Sequence, residues 1–523
     1  DTLRSIFEPL LGNSPEAEPD DVAAQNNIRK LQDLFSSCMN EEAILTAGSR
    51  PLVEETQKII HSLPASDSPA NKTALTKTMA LVARYGFGVT SFINLRVGPD
   101  PRNPSMNVLN VDENGLGLWK ADDYVKEDNV TASVNKEWQD IAQAVVAFEY
   151  QIWYIRTRKW EMEDITRNYK PRTVQELSIL TPSIDWPLLL QEIFPAGYND
   201  TLPLIVPNTV YLAKLDTLLQ KTPAKTLQHY FSWILIRNLA KYLSPPYQQP
   251  LTTISNVASY VFFDVGIDRE SICLKILKGK AREEAVAILD NISASYENNF
   301  HNVSWLDQES RDEAIKKIQS MVKLVGHSLN NSNATSSNSL NDFYKDYTIV
   351  ADDSFGNQVR YHLWSNAKNL AKLNQPFDRE AMDSSPMDVY AGANTQANSI
   401  TFGTGTLQMP YFHVENPEYV NYGGFGALGG IMLGYSFDDV GRNFDSTGRR
   451  INWWSNATSQ AFVERSQCFV KQYGNFTIKG SGNKDYNLDG RTALRVNIAD
   501  NGSTKMAFLS WKKHFDSDPD GNT

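Results

Sequence analysis

Gly424, Gly426 and Gly429 match G-x-G-x-x-G, the spacing that lets a helix N-terminus receive a dinucleotide pyrophosphate. That chemistry needs a strand immediately before the glycines. The preceding ENPEYVNYG contains Pro417 and asparagines and makes a poor central strand. The better reading is a glycine-rich helix packed closely on neighbouring backbone. Metal chemistry needs converging ligands, yet His61, His229, His301, His327, His362, His413 and His514 include no two spaced three or four apart. No helix face therefore offers a histidine pair, and each lone histidine reads as a surface or satisfied core residue. DSDPDG at 516–521 imitates the start of a calcium loop, but its twelfth position falls beyond Thr523 and Pro519 is out of place. It reads as a solvated acidic turn. There is no G-x-S-x-G nucleophile elbow and no G-x-x-x-x-G-K-[ST] phosphate loop. Arg442 and Asp445 read as a scaffold salt bridge. From its residues alone, the chain names no catalytic site.

The elements around these residues are mostly helical in pattern. Apolar residues recur at i, i+3, i+4 over 51–63 and 73–87, and over the long run 135–168. The segment 226–247 reads as a buried helix stopped by Pro245 and Pro246. Two further helices are expected over 282–300 and 304–326, with Ser304 and Asp307 as N-cap candidates. SLNNSNATSSNSLND (328–342) reads as an exposed loop. After it the texture becomes strand-like and glycine-rich over 398–412, which places a lobe boundary near 340–355.

The 523 residues are 41% hydrophobic and 11% aromatic, enough for a packed core and too rich for a disordered chain. Net charge is −11 and basic residues run no longer than pairs, which argues against nucleic-acid binding. No apolar run approaches the ~18 residues a transmembrane helix needs. Asn-x-Ser/Thr sequons occur at Asn71, Asn129, Asn199, Asn291, Asn302, Asn330, Asn333, Asn456, Asn475 and Asn501. Their excess points to a secreted or extracellular protein carrying N-linked glycans. Three cysteines, Cys38, Cys273 and Cys468, fit one pair and one orphan.

Several ordered stretches resemble the neprilysin-like (M13) zinc metallopeptidases. They include LFSSCMNEEAI (34–44), VLNVDENGLGL (108–118), VSWLDQESRDEAIKKI (303–318), ITFGTGTLQMPYF (400–412), NYGGFGALGG (421–430), FDDVGRNFDSTGRRINWW (437–454), ERSQCFVKQYGNF (464–476) and NIADNG (497–502). The resemblance implies a mainly α (α+β) fold. It has two lobes around a central cavity: a helical lobe over 1–345 and a thermolysin-like lobe with a small sheet over 346–523. In that alignment the family's H-E-x-x-H falls on Ile431-Met432-Leu433-Gly434-Tyr435, and the third-ligand glutamate on Val496. Asp500, which would orient a ligand histidine, is retained. The Asn-Ala pair that holds substrate backbone falls on Tyr390-Ala391. Family members continue well past NIADNG, so the transition-state histidine is expected to lie outside this chain. Cys38 and Cys273 occupy positions paired in the family, and Cys468 is left with a partner outside the chain or none.

Zinc needs N, S or O ligands, and Ile431 and Val496 offer none. Met432 cannot take a proton from water, and a phenol is a poor lone ligand. The expectation is a pseudopeptidase without zinc or other cofactor that binds a peptide or protein partner. The alternatives are an active M13 zinc endopeptidase and a structural subunit of an extracellular assembly. Residues 424–436 are expected to be helical, with Ile431 and Tyr435 turned toward Val496 on a second helix.

Overall fold

The computed structural model describes residues 22–87, 91–116, 136–156, 169–194, 197–199, 204–244, 280–329, 337–382, 384, 388–480 and 483–517. Helices dominate it. The first helices are α1 (Val22–Met39), α2 (Arg50–Ser62) and α3 (Lys72–Ala83), followed by the hairpin strands β1 (Ile93–Asp100) and β2 (Asn103–Glu113). Then come α4 (Lys136–Ile155) and α5 (Ala224–Leu239). β2 also pairs, in parallel, with the short strand Leu204–Ile205. These elements enclose a core around Phe92, Phe148, Trp186, Tyr211, Tyr230 and Phe231.

A second core is built from α6 (Ala281–Asn302), α7 (Gln308–Gln319), β3 (Val322–Val325), β4 (Ala391–Asn394), β5 (Ser399–Phe402) and the helices that follow. β5 is the centre of this small sheet. It is fully buried and pairs in parallel with β3 and antiparallel with the edge strand β4. The helices α8 (Ser337–Tyr344) and α9 (Ser354–Leu370) pack back against α1. Core membership therefore does not follow chain order: α6 and α7, before residue 345, join the second core, while Phe355 and Val359 of α9 join the first.

Periodicity located most of the helices, with corrections: residues 337–342 of the expected loop are the start of α8, the helix drawn over 73–87 ends at Ala83, and three further spans change. The pattern over 304–326 breaks: Asp307 is the N-cap of α7, Ser304 sits in the preceding turn, and 322–325 is strand. The apolar run Met321–Val325 suits a buried strand as well as a helix, and pairing with β5 decides it. The helix drawn over 135–168 spans Lys136–Ile155; residues 157–168 lie outside the described set. The helix drawn over 226–247 ends at Leu239, before the two prolines, which also lie outside it.

Asp307 does more than cap. Its carboxylate accepts from Ser310 N at 2.9 Å and from the hydroxyls of Ser455 and Thr458, joining α7 to the start of a later helix. Those hydroxyls, then the Ser310 amide, hold its carboxyl well below the usual range. A depressed carboxyl contributes stability present above its unfolded value near ~4 and lost as pH falls below it. Asp307→Ala is therefore expected to cost about 1–2 kcal/mol at pH 7. It should also flatten the acid limb of a urea-denaturation series from pH 5 to pH 2, and an unchanged acid limb would contradict this.

Candidate functional site

The stretch that opened the sequence analysis is a helix throughout. Glu418–Asn421 leads into a single π-turn over Tyr422–Gly426 and then α10, Ala427–Gly434. Tyr435 is the first residue beyond α10, so the expected span 424–436 is slightly long. G-x-G-x-x-G is thus not a loop between strand and helix, and the close-packing reading holds. A Cβ at Gly424 would stand 2.5 Å from the carbonyl oxygen of Tyr411.

α10 lies antiparallel against α12 (Leu494–Ser517); between them in sequence runs α11 (Asn456–Gly474). A Cβ at Gly430 would come within 2.9 Å of Ser503 Cβ, one at Gly434 within 3.2 Å of Ala499 Cα, and Asp438 meets Arg495 at 2.6 Å. Each step is four residues on both chains, so the pair is in register along one face. Tyr296 of α6 supports it from behind, donating its hydroxyl to Gly430 O at 3.0 Å. The edge strand β4 packs beside α10, with Ala391 at its start and Tyr390 just before it.

The positions on which the family resemblance placed the metal ligands sit on this helix pair. Met432 is buried in the second core, and Ile431 and Tyr435 pack against it while partly exposed. Val496 is on α12 as expected, but it is 43% exposed. The group that crosses to Tyr435 is instead its neighbour Arg495, whose guanidinium lies 4.7 Å from the centre of the Tyr435 ring. Burial first, then the Asp500 carboxylate, pushes the Tyr435 phenol up, with Arg495 opposing. Asp500 is exposed, and partial burial pushes its carboxyl up.

The loop after α10 holds the charges that sequence reasoning missed. Asp438 is fully buried; Oδ1 accepts from Val440 N at 2.8 Å and Gly441 N at 2.6 Å, and Oδ2 accepts from Arg495 Nε. Burial pushes its carboxyl up to about 6 against the pull of Arg495. Lys317 of α7 is equally buried and donates to the carbonyls of Ser436 (2.9 Å), Gly441 (2.8 Å) and Phe444 (2.6 Å). Only its place three residues after buried Ala314, on the apolar face of α7, could have distinguished it from exposed Lys316.

The expected Arg442–Asp445 pair is not formed. Arg442 lies over the rings of Trp454 (5.5 Å) and Phe462 (4.9 Å) and donates to Ser459 Oγ. Asp445 instead caps its own turn, accepting from Thr447 and Arg449. Two aromatic faces hold the delocalised guanidinium, while the tight 445–449 turn satisfies the carboxylate locally.

Comparison with known proteins places this arrangement. The sequence pattern of Peptidase family M13 matches residues 1–328 in its N-terminal part and 390–521 in its second part. The chain belongs to peptidase family M13. It is 27% identical to endothelin-converting enzyme 1 of Bos taurus over 97% of this chain and 70% of that protein. Among solved structures, the zinc metalloprotease ZMP1 of Mycobacterium tuberculosis, in complex with an inhibitor, superposes with a TM-score of 0.81. That match is 21% identical and covers 98% of this chain and 79% of the other. A chain from the Haemonchus galactose containing glycoprotein complex superposes with a TM-score of 0.74 at 18% identity, over 95% and 78% of the two chains. At these identities the two structures speak for the fold.

An M13 relationship raises zinc, and the donor set here does not fit it. Ile431 and Val496 have aliphatic side chains with no lone pair to offer. Burial pushes the Tyr435 phenol up, and a guanidinium covers its ring. Among the described residues, no three His, Cys, Asp or Glu side chains form a metal-binding group. Among the remaining expectations, Cys273, Asn129, Asn330 and Asn333 lie outside the described residues. Cys38 sits at 3.9 Å from Ser354 Oγ, and Cys468 is exposed. Asn71, Asn199, Asn291, Asn302, Asn456, Asn475 and Asn501 are all exposed. No helix among the described residues is long and apolar enough to cross a membrane.

Proposed function

We propose that this M13-family chain is a secreted, N-glycosylated pseudopeptidase that binds a peptide or protein partner without cutting it. One observation carries the reading: H-E-x-x-H occurs nowhere in the sequence, and the positions that resemble it hold Ile431, Met432 and Tyr435, with Val496 in place of the third ligand. Loss of one ligand weakens a zinc site; loss of all three and of the general base removes both the Lewis acid and the proton acceptor. The replacements are mostly apolar and Met432 packs into the second core, as a space-filling substitution would. The partner would be held along β4, whose outer edge offers backbone hydrogen bonds to an extended chain, with Tyr390 and Ala391 at its start. Exposed sequons support an extracellular setting.

A structural-subunit reading is the second candidate. It is favoured by the likeness to a chain whose solved structure is described as a galactose containing glycoprotein complex. A large dry interface, above about 1,600 Å², would mark that role.

The test is a peptide-library digestion with the secreted protein from a eukaryotic host, with and without chelator. No chelator-sensitive cleavage is expected, and the intact mass should exceed the chain mass by several glycans. Chelator-sensitive cleavage would restore the active-endopeptidase reading, and an unglycosylated mass would remove the extracellular one.

A further inference from the structure

A cation of the chain itself stands at the contact between α10 and α12, its side chain 38% exposed. Arg495 projects from α12 toward the end of α10 and makes two bonds of different kinds there. Its Nε donates to Asp438 at 2.6 Å, a carboxylate with no solvent exposure and both oxygens engaged. Its guanidinium plane also covers Tyr435 at 4.7 Å from the ring centre. Asp438 in turn fixes the loop that Lys317 ties to α7 through three carbonyls. One continuous polar chain, Tyr435–Arg495–Asp438–loop–Lys317, therefore joins α12, α10 and α7. Tyr435, under this guanidinium, and Val496, next to Arg495 in sequence, are two of the positions where the family resemblance puts metal ligands.

We propose that Arg495 is a built-in cation that replaces a metal ion as the crosslink between α10 and α12, and that it would compete with zinc for the same space. The inference rests on the pseudopeptidase reading above. Its physical basis is the cost of taking a partly exposed guanidinium away from a fully buried carboxylate. Asp438 without its guanidinium would be a buried carboxylate left with only the Val440 and Gly441 amides and the more distant Lys317 charge, whereas zinc in the presence of Arg495 would face a positive charge on the Tyr435 side.

The test has two arms. In the first, Arg495→Met, Asp438→Asn and the double variant are compared by thermal melting at pH 7.5. Arg495→Met is expected to lower Tm by about 5 to 10 °C, and the double variant should recover at least half of that loss. A Tm within 1 °C of the parent, or a double variant that loses the sum of the two, overturns the proposal. Should Arg495→Met fail to fold, Asp438→Asn decides by itself, since an unchanged Tm there would mean the pair holds nothing. In the second arm, Ile431→His, Met432→Glu, Tyr435→His and Val496→Glu are introduced together, with Arg495 retained or changed to Ala. Zinc affinity should be at least tenfold higher without the arginine, and equal affinities overturn the competition claim. Zinc content of the unmodified protein is measured first. One zinc per chain would sink the pseudopeptidase reading itself, whereas no zinc with an unresponsive Arg495→Met sinks only this inference.

Discussion

Replacing Lys317 by methionine is expected to lower the melting temperature by about 5 to 10 °C at pH 7. The side chain has no solvent exposure, and its three donors are matched by the carbonyls of Ser436, Gly441 and Phe444. Methionine fills similar space but takes the ammonium donor from all three oxygens; Gly441 O keeps Phe444 N and Phe444 O keeps Trp453 Nε1, so the cost of about 1–3 kcal/mol for a lost donor falls mainly on Ser436 O. It also removes the positive charge facing Asp438, Asp445 and Glu313. The pH dependence gives a second readout. Burial pushes the Lys317 ammonium down to about 7, against the pull of those carboxylates. The unfolded chain would keep that proton up to about 10.4, so between pH 7 and 10 the unfolded state binds more protons and stability from this group rises with pH. Lys317→Met should abolish that rise. A variant that melts within 2 °C of the parent and keeps the same pH profile would show that the loop is held by other contacts.

Gly430→Leu should be at least as damaging, for a steric reason. The Cβ alone would stand 2.9 Å from Ser503 Cβ and 3.1 Å from Ser503 Cα, and the α12 backbone cannot give way without separating the helices. Separation would also break the Arg495–Asp438 bond, so a loss of about 10 °C or failure to accumulate folded protein is expected. Gly423→Ala is the matched control. It lies in the same helical stretch with nothing within 4 Å of its Cβ, and alanine is the better helix former by about 1 kcal/mol. It should leave Tm unchanged or raise it slightly. Equal effects from the two substitutions, read by circular-dichroism melting, would mean that helix propensity rather than the α10–α12 contact governs this region.

The sequence displayed those features whose physics is local. Apolar spacing located α2, α3, α6 and α5, Asp307 announced the start of α7, and the glycines of 424–430 gave away a closely packed helix. Features that depend on distant partners were hidden. Val322–Val325 becomes a strand because Ser399–Phe402 lies beside it. Arg442 has an acidic residue three positions away, yet it goes to Trp454, just before α11, and Phe462, on α11. Lys317 and Arg495 look like ordinary surface cations in the chain, since nothing local reveals that three carbonyls or a buried carboxylate await them. The positions proposed to have lost metal ligands are legible only through resemblance to the M13 family. Their new environment, a guanidinium over Tyr435 with Val496 facing solvent, required the packing of α12.

The most direct test of the central claim is zinc stoichiometry. The glycosylated protein would be purified without chelator, incubated with excess zinc sulfate, desalted and measured by inductively coupled plasma mass spectrometry against protein concentration. The account predicts well under 0.1 zinc per chain, because no side chain at the positions of Ile431, Tyr435 and Val496 can offset the dehydration of the ion. One zinc per chain, removed by chelator together with any peptide cleavage, would contradict it.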